Sequence, residues 1–62
     1  MKLILLDCNA KEWTVAVRAA QWMALQPLEQ RDAILSYGEA GAYYVKRNKA
    51  SITVRRISRA ED

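Results

Sequence analysis

Three patterns of hydrophobic and polar residues follow one another along this chain. The first is residues 2–7 (KLILLD), which contain four consecutive aliphatic side chains. Neither face of a strand formed there would be polar, and a strand that is apolar on both faces is typical of the interior of a sheet. The pattern therefore predicts a central strand near the start of the chain.

The second pattern has the period of a helix, about 3.6 residues, and extends from Ala10 to about Leu25. Asn9 can cap this helix, and Glu12 can return a bond to the cap residue, as in a capping box. Most of the helix surface is apolar, which predicts that the helix is largely buried against the sheet. The polar stripe consists of Lys11, Thr14, Arg18 and Gln21, and the face opposite it of Trp13, Ala16, Val17, Ala20, Met23 and Ala24.

The two tryptophans belong to different faces of this helix. Trp13 and Trp22 are nine positions apart, which corresponds to about 900° of rotation, or half a turn out of phase. We predict that Trp13 lies in the core. Trp22 lies towards the edge of the helix, where a tryptophan can also contribute to an interface.

A proline interrupts the helical pattern. Pro27 lacks the N–H that would continue the preceding helix, and its backbone angle suits the first turn of a new one. We predict a second helix from Pro27 to Tyr37, with Glu29 near its positive end and Gly38 ending it, followed by a short loop over residues 38–41. The expected buried side chains of this helix are Leu28, Ile34, Leu35 and Tyr37.

The third pattern is an alternation with a period of two in residues 43–57 (YYVKRNKASITVRRI), which is typical of a hairpin. If Asn48 and Lys49 form the turn, the numbers of paired residues add up to 97, and the apolar side chains of both strands meet on one face. The expected core face consists of Tyr43, Val45, Ile52 and Val54, and the other face of Tyr44, Lys46, Ser51, Thr53 and Arg55.

Together these elements predict a single α+β domain spanning residues 1–62. The predicted order is β-α-α-β-β: a small three-stranded sheet with both helices packed on one face and a β-hairpin at the C-terminal end. The other face of the sheet would mix charged and apolar side chains. Because an uncovered apolar area is typical of an interaction surface, we expect a homodimer or a partner there.

Positive charge is concentrated near the end of the chain. The formal net charge is +3, but residues 46–60 contain six basic side chains and no acidic one. Such a cluster indicates an acidic binding partner, either a nucleic acid or a protein.

The composition argues against catalysis. Histidine is absent and Cys8 is the only cysteine, so the chain lacks the commonest general base and cannot form a cysteine-based metal cluster. We expect no enzyme activity, no metal and no cofactor, and we interpret Cys8 as a small buried hydrophobic residue. The longest apolar run near the start, residues 3–6, is too short for a membrane span or signal segment, so we expect a cytoplasmic protein without membrane contact.

Two functions remain open at this point, and both use the basic hairpin. The first is a stoichiometric regulator or inhibitor, of a kind associated with phages and plasmids, that docks the hairpin on an acidic surface of a larger protein. The alternative is direct binding to DNA or RNA, although residues 9–38 are too short for a three-helix unit with a recognition helix. The charges could also serve only to keep an edge hairpin soluble. The predicted partner-binding residues are Tyr44, Lys46, Arg47, Lys49, Arg55, Arg56 and Arg59.

Overall fold

The computed structural model describes residues 2–57. These residues form an α+β structure with one α-helix and a four-stranded mixed sheet. The sheet order is β1-β4-β3-β2, in which β1 runs parallel to β4 and the other neighbours are antiparallel. In chain order the elements are β1 (Lys2–Leu6), a 3-10 turn (Ala10–Glu12), α1 (Trp13–Ala24), β2 (Asp32–Ser36), a second 3-10 turn (Gly38–Ala40), β3 (Ala42–Arg47) and β4 (Ser51–Arg56).

The predicted capping box is confirmed at the start of the helical segment. The Asn9 side chain accepts a hydrogen bond from the Glu12 N–H, and the Glu12 carboxylate accepts one from the Asn9 N–H, each at 3.0 Å. The first turn is a 3-10 turn, and α1 then continues to Ala24, one residue before the predicted end. Asp7 has a left-handed backbone (φ 58°), which is tolerated by aspartate and turns the chain out of β1 towards the cap.

The core lies between α1 and one face of the sheet. All four side chains predicted for the inner face of the hairpin are buried there, which confirms that part of the prediction. Small alanines on the helix allow it to lie close to the strands, with Met23 filling the space that remains. The buried hydrophobic residues are Ala16, Ala19, Ala20, Met23, Tyr43, Val45, Ile52 and Val54.

The second predicted helix is wrong. Residues 32–36 form β2, which pairs antiparallel with β3 from Asp32–Lys46 to Ser36–Ala42. Ala33 and Leu35 pack against the core, whereas Ile34 points away from it and is 68% exposed. The segment alternates with a period of two, and the unpaired edge of β3 supplies the hydrogen-bonding partner that makes it a strand.

The position predicted for the first strand is also wrong. β1 lies at an edge of the sheet rather than in its interior, because the β2-β3-β4 meander places β4 against β1, and no strand within residues 2–57 pairs with the other side of β1. Leu3 and Leu6 are consequently 39% and 44% exposed.

The hairpin forms, but its register differs from the prediction. The numbers of paired residues add up to 99 rather than 97, for example in Val45–Val54. The Asn48 N–H donates to the Ser51 carbonyl at 2.8 Å, and the Asn48 side chain bonds the Ser51 hydroxyl, which closes a longer turn. Because the shift is by two, every side chain keeps its predicted face.

Trp13 is 59% exposed, so its predicted position in the core is wrong. At the start of the helical segment it is Glu12 that points inwards, and its side chain is buried beside Arg56. Trp22 is partly buried against the core, and its role in an interface stays a prediction.

Candidate functional site

The sheet face turned away from α1, which we call the open face, combines side chains from all four strands. The alternation along each strand and the register between strands determine which side chains belong to this face. Its members are Lys2, Ile4 and Leu6 of β1, Ser51, Thr53 and Arg55 of β4, Ala42, Tyr44 and Lys46 of β3, and Asp32, Ile34 and Ser36 of β2.

One row of side chains crosses the open face from edge to edge. Leu6 pairs with Arg55, Arg55 with Tyr44, and Tyr44 with Ile34. Leu6 and Ile34 are both substantially exposed, and the Arg55 side chain is 62% exposed. The row therefore offers an aromatic ring and a guanidinium between two large aliphatic side chains.

Two acidic residues lie beside this row. The Tyr44 hydroxyl donates a hydrogen bond to Asp32 Oδ2 at 3.0 Å, and this bond raises the pKa of Tyr44. Arg55 Nε donates to Asp7 Oδ2 at 3.2 Å in an exposed ion pair. Exposed pairs contribute little to stability, but they orient both side chains and lower the positive charge of the face.

Arg47 does not lie on the open face. Its guanidinium donates to Pro27 O at 3.0 Å, to Gln26 O at 3.2 Å and also to Met23 O. The last carbonyls of a helix have no partners within the helix, and a cationic side chain satisfies them well. Arg47 therefore ties the hairpin to the end of α1.

Arg56 is likewise directed towards the helix side of the sheet. It forms an ion pair with Glu12 in which the two side chains are only 8% and 10% exposed. The guanidinium also lies 5.9 Å from the ring centroid of Tyr43. It packs so closely on Gly41 that a Cβ there would lie 2.8 Å from Arg56 Nη2. The pair joins the end of β4 to the beginning of the helical segment.

The predicted site residues thus divide into three groups. Tyr44, Lys46 and Arg55 lie together on the open face, and Lys49 is exposed in the turn at the tip of the hairpin. Arg47 and Arg56 make internal contacts, so we leave them out of the candidate surface; Arg59 lies outside the described residues. The alternation along the strands already indicates that Arg47 and Arg56 face the helix. Arg47 is two positions from the buried Val45, and Arg56 is two positions from the buried Val54, so each pair shares a face of the sheet.

Sequence reasoning expected apolar side chains of the first strand on this face but missed Ile34. Ile34 was predicted to be buried in a helix, and the exposure of Leu6 follows from the edge position of β1. A period-two pattern in residues 32–36 was the available signal for Ile34.

Cys8 is half-buried, and its thiol donates to the Leu6 carbonyl at 3.3 Å. Burial raises the pKa of the Cys8 thiol, which keeps it protonated and poorly nucleophilic at neutral pH. Across residues 2–57, no three His, Cys, Asp or Glu side chains come together in a group that could hold a metal ion. The helix in this range is not long and apolar enough to cross a membrane.

Comparison of the chain with protein-family models, with curated proteins and with solved structures gave no match.

Proposed function

We propose that this protein is a non-catalytic binding protein that docks the open face of its sheet on an acidic, partly apolar surface of a larger protein. The observation that carries the proposal is the row formed by Leu6, Arg55, Tyr44 and Ile34. Because nothing in the proposal requires turnover, the protein would act stoichiometrically on its partner.

The chemistry of this row supports a protein partner. Tyrosine and arginine are enriched at the centres of protein interfaces, and large aliphatic side chains supply the apolar area that such centres bury. Tyr44 and Ile34 lie side by side in this row, and an apolar area of this kind at the surface is typical of an interaction site.

Basic side chains at the rim of the face favour an acidic partner. Lys46 lies on the open face in the row adjacent to the one that contains Tyr44. Lys49 and Lys2 lie towards the hairpin tip. Exposed charges of this kind increase the rate of association and select against basic partners more than they increase affinity.

Direct binding to DNA or RNA has less support than a protein partner. Two of the arginines that would contact phosphates, Arg47 and Arg56, make internal contacts instead. On the face itself Arg55 is beside Asp7, and Tyr44 is beside Asp32. These carboxylates would repel a phosphate backbone, whose affinity depends on neutralising many charges at once.

The proposal is tested by capturing partners from the native host with the wild type and two variants. Arg55→Glu reverses the charge in the centre of the open face. Arg18→Glu is the matched control, because Arg18 is exposed on α1 and lies outside the open face. A specific partner should be enriched by the wild type and by Arg18→Glu, and lost with Arg55→Glu.

The purified partner then allows a quantitative measurement by calorimetry. Tyr44→Ala and Arg55→Glu should each weaken binding by at least about tenfold, as expected for central residues of an interface. Equal affinities of the wild type and Arg55→Glu would contradict the proposal. Tight binding to duplex or single-stranded nucleic acid, with a steep linear dependence of log affinity on log salt, would favour the alternative instead.

A further inference from the structure

The strand β1 has the composition of a central strand but lies at an edge of the sheet. Its residues after Lys2 are all aliphatic, so both of its faces are apolar. Natural edge strands are usually protected by charges, prolines or bulges, because unpaired backbone groups readily accept another strand. Among residues 2–6 the only charged side chain is Lys2, at the start of the strand.

The direction of the backbone groups shows what this edge offers. The Lys2 N–H donates to the Ala50 carbonyl at 2.9 Å, so residue 2 directs its backbone groups towards β4. Successive residues of a strand direct these groups to opposite sides. Leu3 and Leu5 therefore direct their N–H and C=O groups outwards, at the edge opposite β4.

The other edge of the sheet is different. In β2, the Arg31 carbonyl accepts a bond from Arg47, so the groups of Asp32 point outwards. The Asp32 carbonyl is already occupied, because the Gln30 side chain donates to it. β2 also carries Asp32 itself, a charged residue that disfavours strand addition at this edge.

We propose that β1 pairs antiparallel with β1 of a second copy, about a two-fold axis at Ile4, to form one continuous eight-stranded sheet. In this register Leu3 of each copy lies opposite Leu5 of the other. Both residues direct their backbone groups outwards, so each of the two pairs can exchange both of its hydrogen bonds. Ile4 lies opposite Ile4 of the second copy as a pair without hydrogen bonds, which agrees with the direction of its backbone groups towards β4.

Charge complementarity favours a second copy in this antiparallel orientation. Lys2 lies at one end of β1 and Asp7 just beyond the other, so the antiparallel arrangement brings Lys2 of each copy towards Asp7 of the other. Asp7 is 64% exposed and its carboxylate can accept a further donor beside Arg55. A parallel arrangement would instead place like charges together, which is unfavourable.

An apolar groove beside the edge supports the same arrangement. It has a volume of about 180 Å3, lies between β1 and α1, and is lined mainly by Leu3, Val17, Ala20, Ala24 and Ile52. Leu3 and Leu5 share the helix-facing side of the sheet. Leu5 of the second copy would therefore lie next to Leu3 at the mouth of this groove and cover part of its apolar surface.

The proposal predicts a dimer by sedimentation equilibrium at about 100 µM. Ile4→Lys should be monomeric, because two ammonium groups would face each other at the axis. Mixing Ile4→Lys with Ile4→Glu should restore a dimer that contains both chains. Ile34→Lys is the control: it places the same charge on the open face of β2 and should leave the dimer intact. Circular dichroism establishes that each variant is folded.

A second measurement tests the register with a milder substitution. Residues in an antiparallel pair without hydrogen bonds have Cα atoms about 4.5 Å apart, close enough for a disulfide. In a Cys8→Ala background, Ile4→Cys should cross-link rapidly to a covalent dimer on mild oxidation, whereas Ile34→Cys should not.

A wild type that is monomeric at this concentration would overturn the proposal, as would an Ile4→Lys variant that dimerises like the wild type. Equal cross-linking at positions 4 and 34 would also overturn it. The proposed partner binding is independent of this result, because Arg55→Glu and Tyr44→Ala should leave the dimer unchanged.

Discussion

Arg55 and Arg56 are adjacent in sequence, yet one side chain is exposed and the other is buried. Arg55 forms an exposed pair with Asp7, in which the side chains are 62% and 64% exposed, while Arg56 forms a buried pair with Glu12. Alternation along β4 is the cause, since it directs one side chain to the open face and the next towards the helix.

This difference predicts very different effects of one substitution. Arg56→Met leaves the Glu12 carboxylate buried without its counter-charge and should lower the free energy of unfolding by about 3–5 kcal/mol. Arg55→Met removes an exposed pair and should change it by less than about 1 kcal/mol. Urea denaturation monitored by circular dichroism measures both, and equal values for the two variants would contradict the assigned environments.

The two glycines of the described chain make a second matched pair. Gly38 and Gly41 both have positive φ, 60° and 97°, but only at Gly41 would a Cβ meet another group, the Arg56 guanidinium. Gly38→Ala should cost about 1–2 kcal/mol, the usual penalty for a left-handed residue. Gly41→Ala should cost more, because it also displaces Arg56 from Glu12. Similar thermal midpoints for the two variants would show that the contact with Arg56 is unimportant.

The elements were predictable from sequence to different degrees, and the difference has a physical cause. The capping box and the inner face of the hairpin depend on local spacing, so Asn9, Glu12, Tyr43 and Val54 were all placed correctly. Residues 32–36 are compatible with either a strand or a helical turn, and pairing with β3 decides between them. That pairing is a tertiary contact, which local spacing cannot reveal.

The connection from α1 to β2 depends on Arg47, which bonds the Met23 carbonyl in the last turn of the helix and the Gln26 and Pro27 carbonyls just after it. Arg47→Met keeps much of the side-chain volume and removes these bonds, so we expect a loss of about 2 kcal/mol, in line with hydrogen bonds to charged groups. Hydrogen exchange should accelerate most at the C-terminal amides of α1. Lys46→Met, on the open face, is the control and should leave exchange in α1 unchanged; equal acceleration in both variants would contradict the capping role.

Over the whole molecule, the basic cluster predicted from sequence separates into parts with different roles. Arg47 and Arg56 hold the helix to the sheet, whereas Lys46, Lys49 and Arg55 remain exposed. The basic side chains are divided in this way because they alternate between the two faces of the sheet. The full set of residues on the open face could not be predicted from sequence, because residues 32–36 were expected to be helical and not to form β2. The apolar pattern of β1 is also explained at this scale, because a strand suited to the interior of a sheet gains a second neighbour in the proposed dimer.

Dimerisation through β1 would link stability to concentration. A domain of this size buries a smaller fraction of its surface on folding than a larger domain does, and it is therefore marginally stable as a monomer. The proposed pairing would cover Leu3 and Leu5 and bond their backbone groups. By mass action, a hundredfold increase in concentration should raise the apparent stability of the wild type by up to about 2.7 kcal/mol per dimer. The urea midpoint of the wild type should therefore rise between about 1 and about 100 µM, while that of Ile4→Lys stays constant because this variant has no dimer to stabilise. If the urea midpoint of the wild type does not change with concentration, the protein unfolds as a monomer, and the proposed pairing of β1 strands is contradicted.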